Sequence, residues 1–200
     1  SSAARIKAFT NGEIELARKT DHFSYSRVEV KSHTGCVLGM VRSTEGIDFP
    51  QLSEYFGQVD ELEAWLDKYE AKRVSDAPYM WLYYNDADQP ADPSGNPVRA
   101  PFFFQMATVL ENGSYPGFER SPTAGEFAIA QLRALRVASV TYQGSFPHQP
   151  NSGFVEAAMT LVSQAAEMDY RPKGILYREL YHHTDFADPS QSICEIQIEI

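Results

Sequence analysis

Cysteine is nearly absent from this chain of 200 residues: only Cys36 and Cys194 occur, far apart and in no CxxC pair. That leaves neither a zinc-ribbon spacing nor a disulfide framework. One long-loop disulfide is conceivable, but two buried free thiols are the expectation, because a free cysteine packs as a small hydrophobe. Long apolar runs are missing too. No stretch approaches the roughly 18 to 20 residues that span a bilayer, and the N-terminus lacks the charged-then-apolar order of a secretory signal. A soluble, cytoplasmic protein is expected. Basic clusters are equally scarce, the longest being the pairs Arg18-Lys19 and Lys72-Arg73. With 27 acidic residues against 17 basic ones, the formal charge is −10. Such a surface repels phosphate backbones, so direct contact with nucleic acid is not expected. Neither Gly35 nor Gly144 sits in a GxGxxG or P-loop, and both read as strand-to-loop turns.

What is present is a composition that buries a core: 43% hydrophobic and 12% aromatic residues, suited to one domain or two small halves. Alternation predicts a strand over 26–32, ended by His33-Thr34-Gly35. After a loop, Asp48 and Gln51 form a capping-box pattern, and Leu52, Tyr55, Phe56, Val59, Leu62, Leu66 and Tyr69 follow at helical spacing. An aromatic strand over 79–84, a turn-rich stretch over 85–101 and a strand over 102–110 come next. Residues 111–125 carry Asn112-Gly113, Pro116-Gly117 and Pro122, the chemistry of a connector. Beyond it the pattern predicts strands over 126–132 and 136–143, a helix over 153–168 capped by Asn151 or Ser152, a strand over 175–181 and a last strand over 193–200. The order strand, helix, strand, strand therefore occurs twice, in repeats 26–110 and 126–200. Residues 27–35 align with 136–144, and Tyr84-Asn85-Asp86 with Tyr181-His182-His183. Each unit has a sheet face too large for one helix to cover, so the two should pack about a pseudo-two-fold axis.

Arg136-Val137-Ala138-Ser139-Val140-Thr141-Tyr142-Gln143-Gly144, the helix after it, Gly174-Ile175-Leu176-Tyr177-Arg178-Glu179-Leu180-Tyr181 and the closing strand together resemble the GyrI-like effector-binding family. That family shares its fold with the SOUL haem-binding proteins and with the effector domains of multidrug-responsive transcription activators. The resemblance spans about residues 26 to 200. It implies a single α+β domain over 1–200, with antiparallel sheets forming a half-barrel around a central ligand cleft and helices packed outside. It also implies that Glu179, two residues before Tyr181, points into the cleft. The long insertion over 85–101 and the His182-His183 pair after the tyrosine depart from the family pattern. No DNA-binding helix pair precedes the domain, which speaks against a complete transcription activator.

On the strand over 175–181, Ile175, Tyr177, Glu179 and Tyr181 share one face and Leu176, Arg178 and Leu180 the other. A carboxylate in such an aromatic wall needs a cationic ligand, an internal donor or a raised pKa. Equivalent strands of the other repeat put Trp81, with Met80 and Leu82 beside it, and Phe104, Met106 and Tyr142 forward as the opposite wall. The competing reading leaves Glu179 in solvent at a sheet edge, or paired with Arg178 or Arg171, and makes the aromatics plain core. His182 and His183 are adjacent on a strand and point apart, so no metal is expected, nor any cofactor, haem included. His22, His33 and His148 sit near turns, and the acids over 60–67 lie on a solvent face.

Three functions follow from the resemblance. In the first, a stand-alone module binds amphipathic, aromatic or cationic small molecules around Glu179, Tyr177, Tyr181, Tyr142, Trp81, Phe104 and Met106. The second is a hydrolase of electrophilic cyclopropane-type toxins, with Glu179 catalytic and a tyrosine as proton donor. The third is a gyrase-inhibitor-like interaction module that presents its acidic exterior to a protein partner.

Overall fold

The computed structural model describes residues 1–42, 58–84, 103–112, 127–147, 149–170 and 177–200. The capping box at Asp48 and Gln51, the helix positions Leu52, Tyr55 and Phe56, the stretch 85–101, most of the connector 111–125, His148, Arg171, Ile175 and Leu176 lie outside the described residues. Among the described residues the chain forms three α-helices and ten strands: α1 (Ser2–Thr10), β1 (Leu16–Lys19), β2 (Ser24–Ser26), β3 (Glu29–His33), β4 (Cys36–Arg42), α2 (Gln58–Lys68), β5 (Tyr79–Tyr84), β6 (Phe103–Leu110), β7 (Phe127–Leu132), β8 (Leu135–Gln143), α3 (Phe154–Glu167), β9 (Tyr177–His183) and β10 (Ile193–Glu199). The strands form one antiparallel sheet in the order β1-β2-β8-β10-β9-β5-β6-β4-β7, with β3 also paired to β8.

The helices form where the apolar spacing puts them. In α3 the buried positions are Phe154, Ala157, Ala158, Leu161 and Ala165, a stripe of period 3.6. The N-cap of α3 is Gly153, without a side-chain cap bond, and neither Asn151 nor Ser152: the Ser152 hydroxyl accepts the Phe154 amide at 3.3 Å from one residue further back, and Asn151 takes a left-handed φ of 62° in the preceding turn. In α2, Leu62 and Leu66 are buried, and Asp60 and Glu61 in the first turn with Lys68 in the last complement the helix dipole.

Four elements depart from the sequence expectation. α1, β1 and β2 precede the first expected strand, and β4 occupies what reads as a loop. α1 buries only Ser2 and Phe9, too thin a stripe to stand out as amphipathic. β4 runs Cys-Val-Leu-Gly-Met-Val-Arg and buries Val37, Leu38, Met40 and Val41 on both faces, so it shows no alternation. Its Gly39 resembles a breaker but permits a close approach: a Cβ there would stand 2.7 Å from Leu66 Cδ2 of α2.

The internal correspondence shifts as a result. β4-α2-β5-β6 and β8-α3-β9-β10 run in the same order, so the counterpart of β8 is β4, not the strand within 27–35. That strand, β3, is hydrogen-bonded to β8, with Glu29 opposite Ser139 and His33 opposite Leu135, while β7 pairs with β4. Short alternating segments look alike, and alternation cannot distinguish a strand's counterpart from its neighbour.

One tight connection bends the sheet. Thr34 and Gly35 alone join β3 to β4, and three Cα steps reach at most about 11 Å. Laid flat, the path from β3 to β4 would cross six strand spacings, roughly 29 Å. The sheet must therefore curl into a half-barrel. Its concave side carries Arg178, because one cavity there touches Lys31 of β3, Cys36 of β4, Met80 of β5, Arg178 of β9 and Glu195 of β10. The main core, including Leu62, Trp81, Met106, Phe154, Leu161 and Ile196, lies on the outer side beneath α2 and α3. A second cluster with Leu38, Met40, Met80, Leu82 and Leu180 lines the concave side, where α1 rests against β9.

Candidate ligand site

α2 packs on β4 and α3 on β8, five strand spacings apart, so the central pair β9/β5 lies between helices each about 10 Å across. The register there aligns Val140, Ile196, Glu179, Trp81, Met106 and Val41 across six strands. Glu179 is the one charged member of that row. It lies on the outer, helix-bearing side of the sheet rather than in the hollow of the half-barrel where the family resemblance puts it, because odd and even positions of β9 face opposite sides. It is 4% exposed and Trp81 3%, so the sheet-edge reading, with the carboxylate in solvent, does not describe this geometry. Nor does Arg178 pair with it: Arg178 points to the concave side, where its Nε donates to Gln197 Oε1 at 2.6 Å.

The carboxylate is held by its own strand. Tyr181 Oη donates to Glu179 Oε1 at 2.5 Å, and the Tyr177 hydroxyl also bonds to Glu179. Positions i and i+2 share a strand face, which brings acid and phenols together. Burial, and then the adjacent carboxylate, push the Tyr177 hydroxyl well above its ordinary value, so it keeps its proton. The Cys194 thiol is pushed up by burial and by the same carboxylate; neither it nor Cys36 is in a disulfide, and of the two thiols expected to be buried only Cys194 is, Cys36 being half-buried.

The remaining candidates divide. Trp81 lies directly across from Glu179, and its ring stands 5.6 Å from that of Tyr181. Met106 lies next in the row, fully buried. Phe104 faces Tyr83 in the register, and its side chain lies outside the described residues. Tyr142 is placed in the same sheet but committed elsewhere: its Oη donates to the Ser145 carbonyl at 2.7 Å and accepts the Gly153 amide at 3.1 Å. Its ring meets Phe154 edge-on at 5.5 Å. It fastens the loop before α3 to the sheet.

Two aromatics absent from the sequence expectation join the wall. Phe146 stands 6.3 Å from Tyr181 and 6.5 Å from Phe186, ring to ring, and Phe186 is 75% exposed. Together with Trp81 they form an aromatic path from solvent to the buried acid. Both sit in irregular loops without periodicity, so no pattern marks them. His182, by contrast, belongs to the concave side, bonded to Ser2 Oγ at 2.9 Å and Glu195 Oε1 at 3.0 Å. Among the described residues no cluster of three His, Cys, Asp or Glu side chains could hold a metal ion, and no helix is long and apolar enough to cross a membrane.

No protein-family model and no curated protein matches the chain. Solved structures do. The C-terminal domain of EcmrR superposes with a TM-score of 0.64 at 15% identity, covering 86% of this chain and 96% of that domain. Against EcmrR in its DNA complex the chain covers 63% of the longer protein, with a TM-score of 0.63 and 12% identity. SAV2435 bound to tetraphenylphosphonium gives a TM-score of 0.56 at 12% identity, over 86% of this chain and 93% of that one. A hydrolase from Listeria innocua gives 0.50 at 9% identity, over 86% and 90%. At these identities the likeness carries the fold alone: the chain shares the fold of the EcmrR C-terminal domain, a half-barrel with helices on its outer side.

Proposed function

We propose that the protein is an effector-binding module that takes bulky, aromatic, cationic small molecules against the row of Glu179 and Trp81. The observation that carries this reading is a buried carboxylate, bonded by two tyrosine hydroxyls, at the centre of an otherwise apolar row. A delocalised cation matches it on three counts. Its apolar body takes the exposed aromatic path at Phe186 and Phe146 out of water at about 25 cal/mol per Å², its charge meets Glu179, and the faces of Trp81 and Tyr181 add about 0.5 to 2 kcal/mol per cation–π contact. That a protein of this fold holds tetraphenylphosphonium supports the ligand class. Tetraphenylphosphonium, titrated while tryptophan fluorescence is followed, is the probe. Glu179→Gln is expected to weaken its binding about tenfold, the worth of a lost charge-assisted contact. Unchanged affinity in a variant with wild-type circular dichroism would overturn the assignment.

The hydrolase reading rests on the 2.5 Å contact between Tyr181 and Glu179, an acid and a phenol within proton-transfer distance. Tyr177 holds its proton too firmly, and the Tyr142 hydroxyl is engaged, so Tyr181 would have to be the donor. If that reading is right, Glu179→Gln still binds an electrophilic substrate but no longer turns it over.

A further inference from the structure

We propose that the concave side of the sheet holds a second binding site, for small amphipathic carboxylates, with the Arg178 guanidinium as the partner of the carboxylate and an apolar floor for the rest of the ligand. The cavity measures about 380 Å³, within the range of small-ligand pockets. Exposed Thr34 belongs to its wall.

Arg178 is 3% exposed. A buried guanidinium is costly unless a counter-charge meets it, yet its contacts are the neutral Gln197 Oε1 at 2.6 Å and Met80 Sδ at 3.9 Å. No carboxylate among the described residues forms an ion pair with it. Glu195, the acid in the cavity wall, is already occupied. It meets Lys31 Nζ at 2.7 Å, His182 Nε2 at 3.0 Å and Arg5 Nε at 3.5 Å, and accepts from Ser139 and Gln197 at 2.6 Å each. Lys31, His182, Ser139 and Gln197 fill a carboxylate's roughly four lone-pair positions, and Arg5 adds only its charge, because its Nε donates to Thr141 Oγ1 at 3.0 Å. Arg5 also meets Glu29, so three cations face two acids, an excess of one positive charge inside a chain of net charge −10.

An independent observation points to the same place. His33 Nε2, in the cavity wall, is buried and has no hydrogen-bond partner. Burial, and then Arg178, lower the pKa of that imidazole, which favours the neutral ring, and in its Nε2–H tautomer the ring offers one N–H to an anion. The same cavity is lined by Met80, Leu180, Val109 and Leu132. One excess positive charge beside an apolar floor suits a monoanion with a hydrocarbon body. A phosphate would bring a second negative charge and a hydration shell that this floor cannot replace.

Octanoate is the probe, titrated calorimetrically into the full chain. One saturable site is expected, weakened about tenfold or more by Arg178→Met, less by Lys31→Met, and unchanged by Glu179→Gln or by saturating tetraphenylphosphonium. Bound octanoate should also slow alkylation of Cys36, which lines the cavity. If Arg178→Met does not fold, Cys36→Phe, which fills the space from β4, must abolish binding. Absence of saturable binding, full affinity in Arg178→Met, competition by tetraphenylphosphonium, or tighter binding of inorganic phosphate would each overturn the proposal.

Discussion

Arg178 and Glu179 are neighbours on one strand, yet they serve opposite sides of the sheet in opposite ways. On the outer side Glu179 lies in an apolar row and is bonded by two tyrosines of its own strand. On the concave side Glu195 holds partners from four elements: Arg5 of α1, Lys31 of β3, Ser139 of β8 and His182 of β9. The difference is between an acid held locally and an acid that ties distant segments together. The first can be altered without loosening the fold; the second cannot. Local support of this kind suits a group that must change partners when a ligand arrives, because the exchange leaves the rest of the sheet in place.

The comparison breaks most sharply at Glu195. Removing it strands three basic groups in a buried network, so Glu195→Ala is expected to destabilise by about 3 to 5 kcal/mol, read as a fall in the urea midpoint at unchanged slope. Its pH behaviour has a definite sign. Burial alone would raise the Glu195 carboxyl, but His182, Lys31 and Arg5 together hold it well below the usual carboxylate range. A carboxylate whose pKa is depressed by folding contributes stability above its unfolded value, and that contribution drains away as pH falls toward the folded value. The wild-type midpoint should therefore drop on acidification from about pH 5 to about pH 3 more steeply than that of Glu195→Ala. Equal slopes would mean that Glu195 is not the acid-sensitive group.

On the outer side a smaller effect is expected. Tyr181→Phe removes one donor to Glu179 and should cost about 1 to 2 kcal/mol in stability, with a weaker grip on the cationic probe. A loss as large as that of Glu195→Ala would erase the distinction between the two acids. Smallest of all is Arg18→Ala, which deletes an ion pair from β1 to Glu156 of α3 whose partners are 49% and 38% exposed. Solvent screening leaves such a pair worth less than about 0.5 kcal/mol, within the scatter of a thermal melt.

Much of this architecture is legible in the sequence wherever a period is strong. The alternation over 136–143, the stripe from Phe154 to Ala165 and the aromatic run over 79–84 correspond to β8, α3 and β5. It fails where burial is two-sided or thin, as in β4 and α1, and in the loops that carry Phe146 and Phe186. Tyr142 illustrates a different limit. Its place in a strand is readable, but its hydroxyl is claimed by Ser145 and Gly153 from a loop that no pattern ties to it.

Sequence alone determined which residues share a face: Tyr177, Glu179 and Tyr181 together, Arg178 and Leu180 opposite, because side chains of an extended backbone alternate whatever surrounds them. It could not determine which face would curl inward or which would lie beneath the helices. That was decided by the two-residue link between β3 and β4 and by the docking of α2 and α3 on one side, contacts between segments distant in the chain that leave no local period to read.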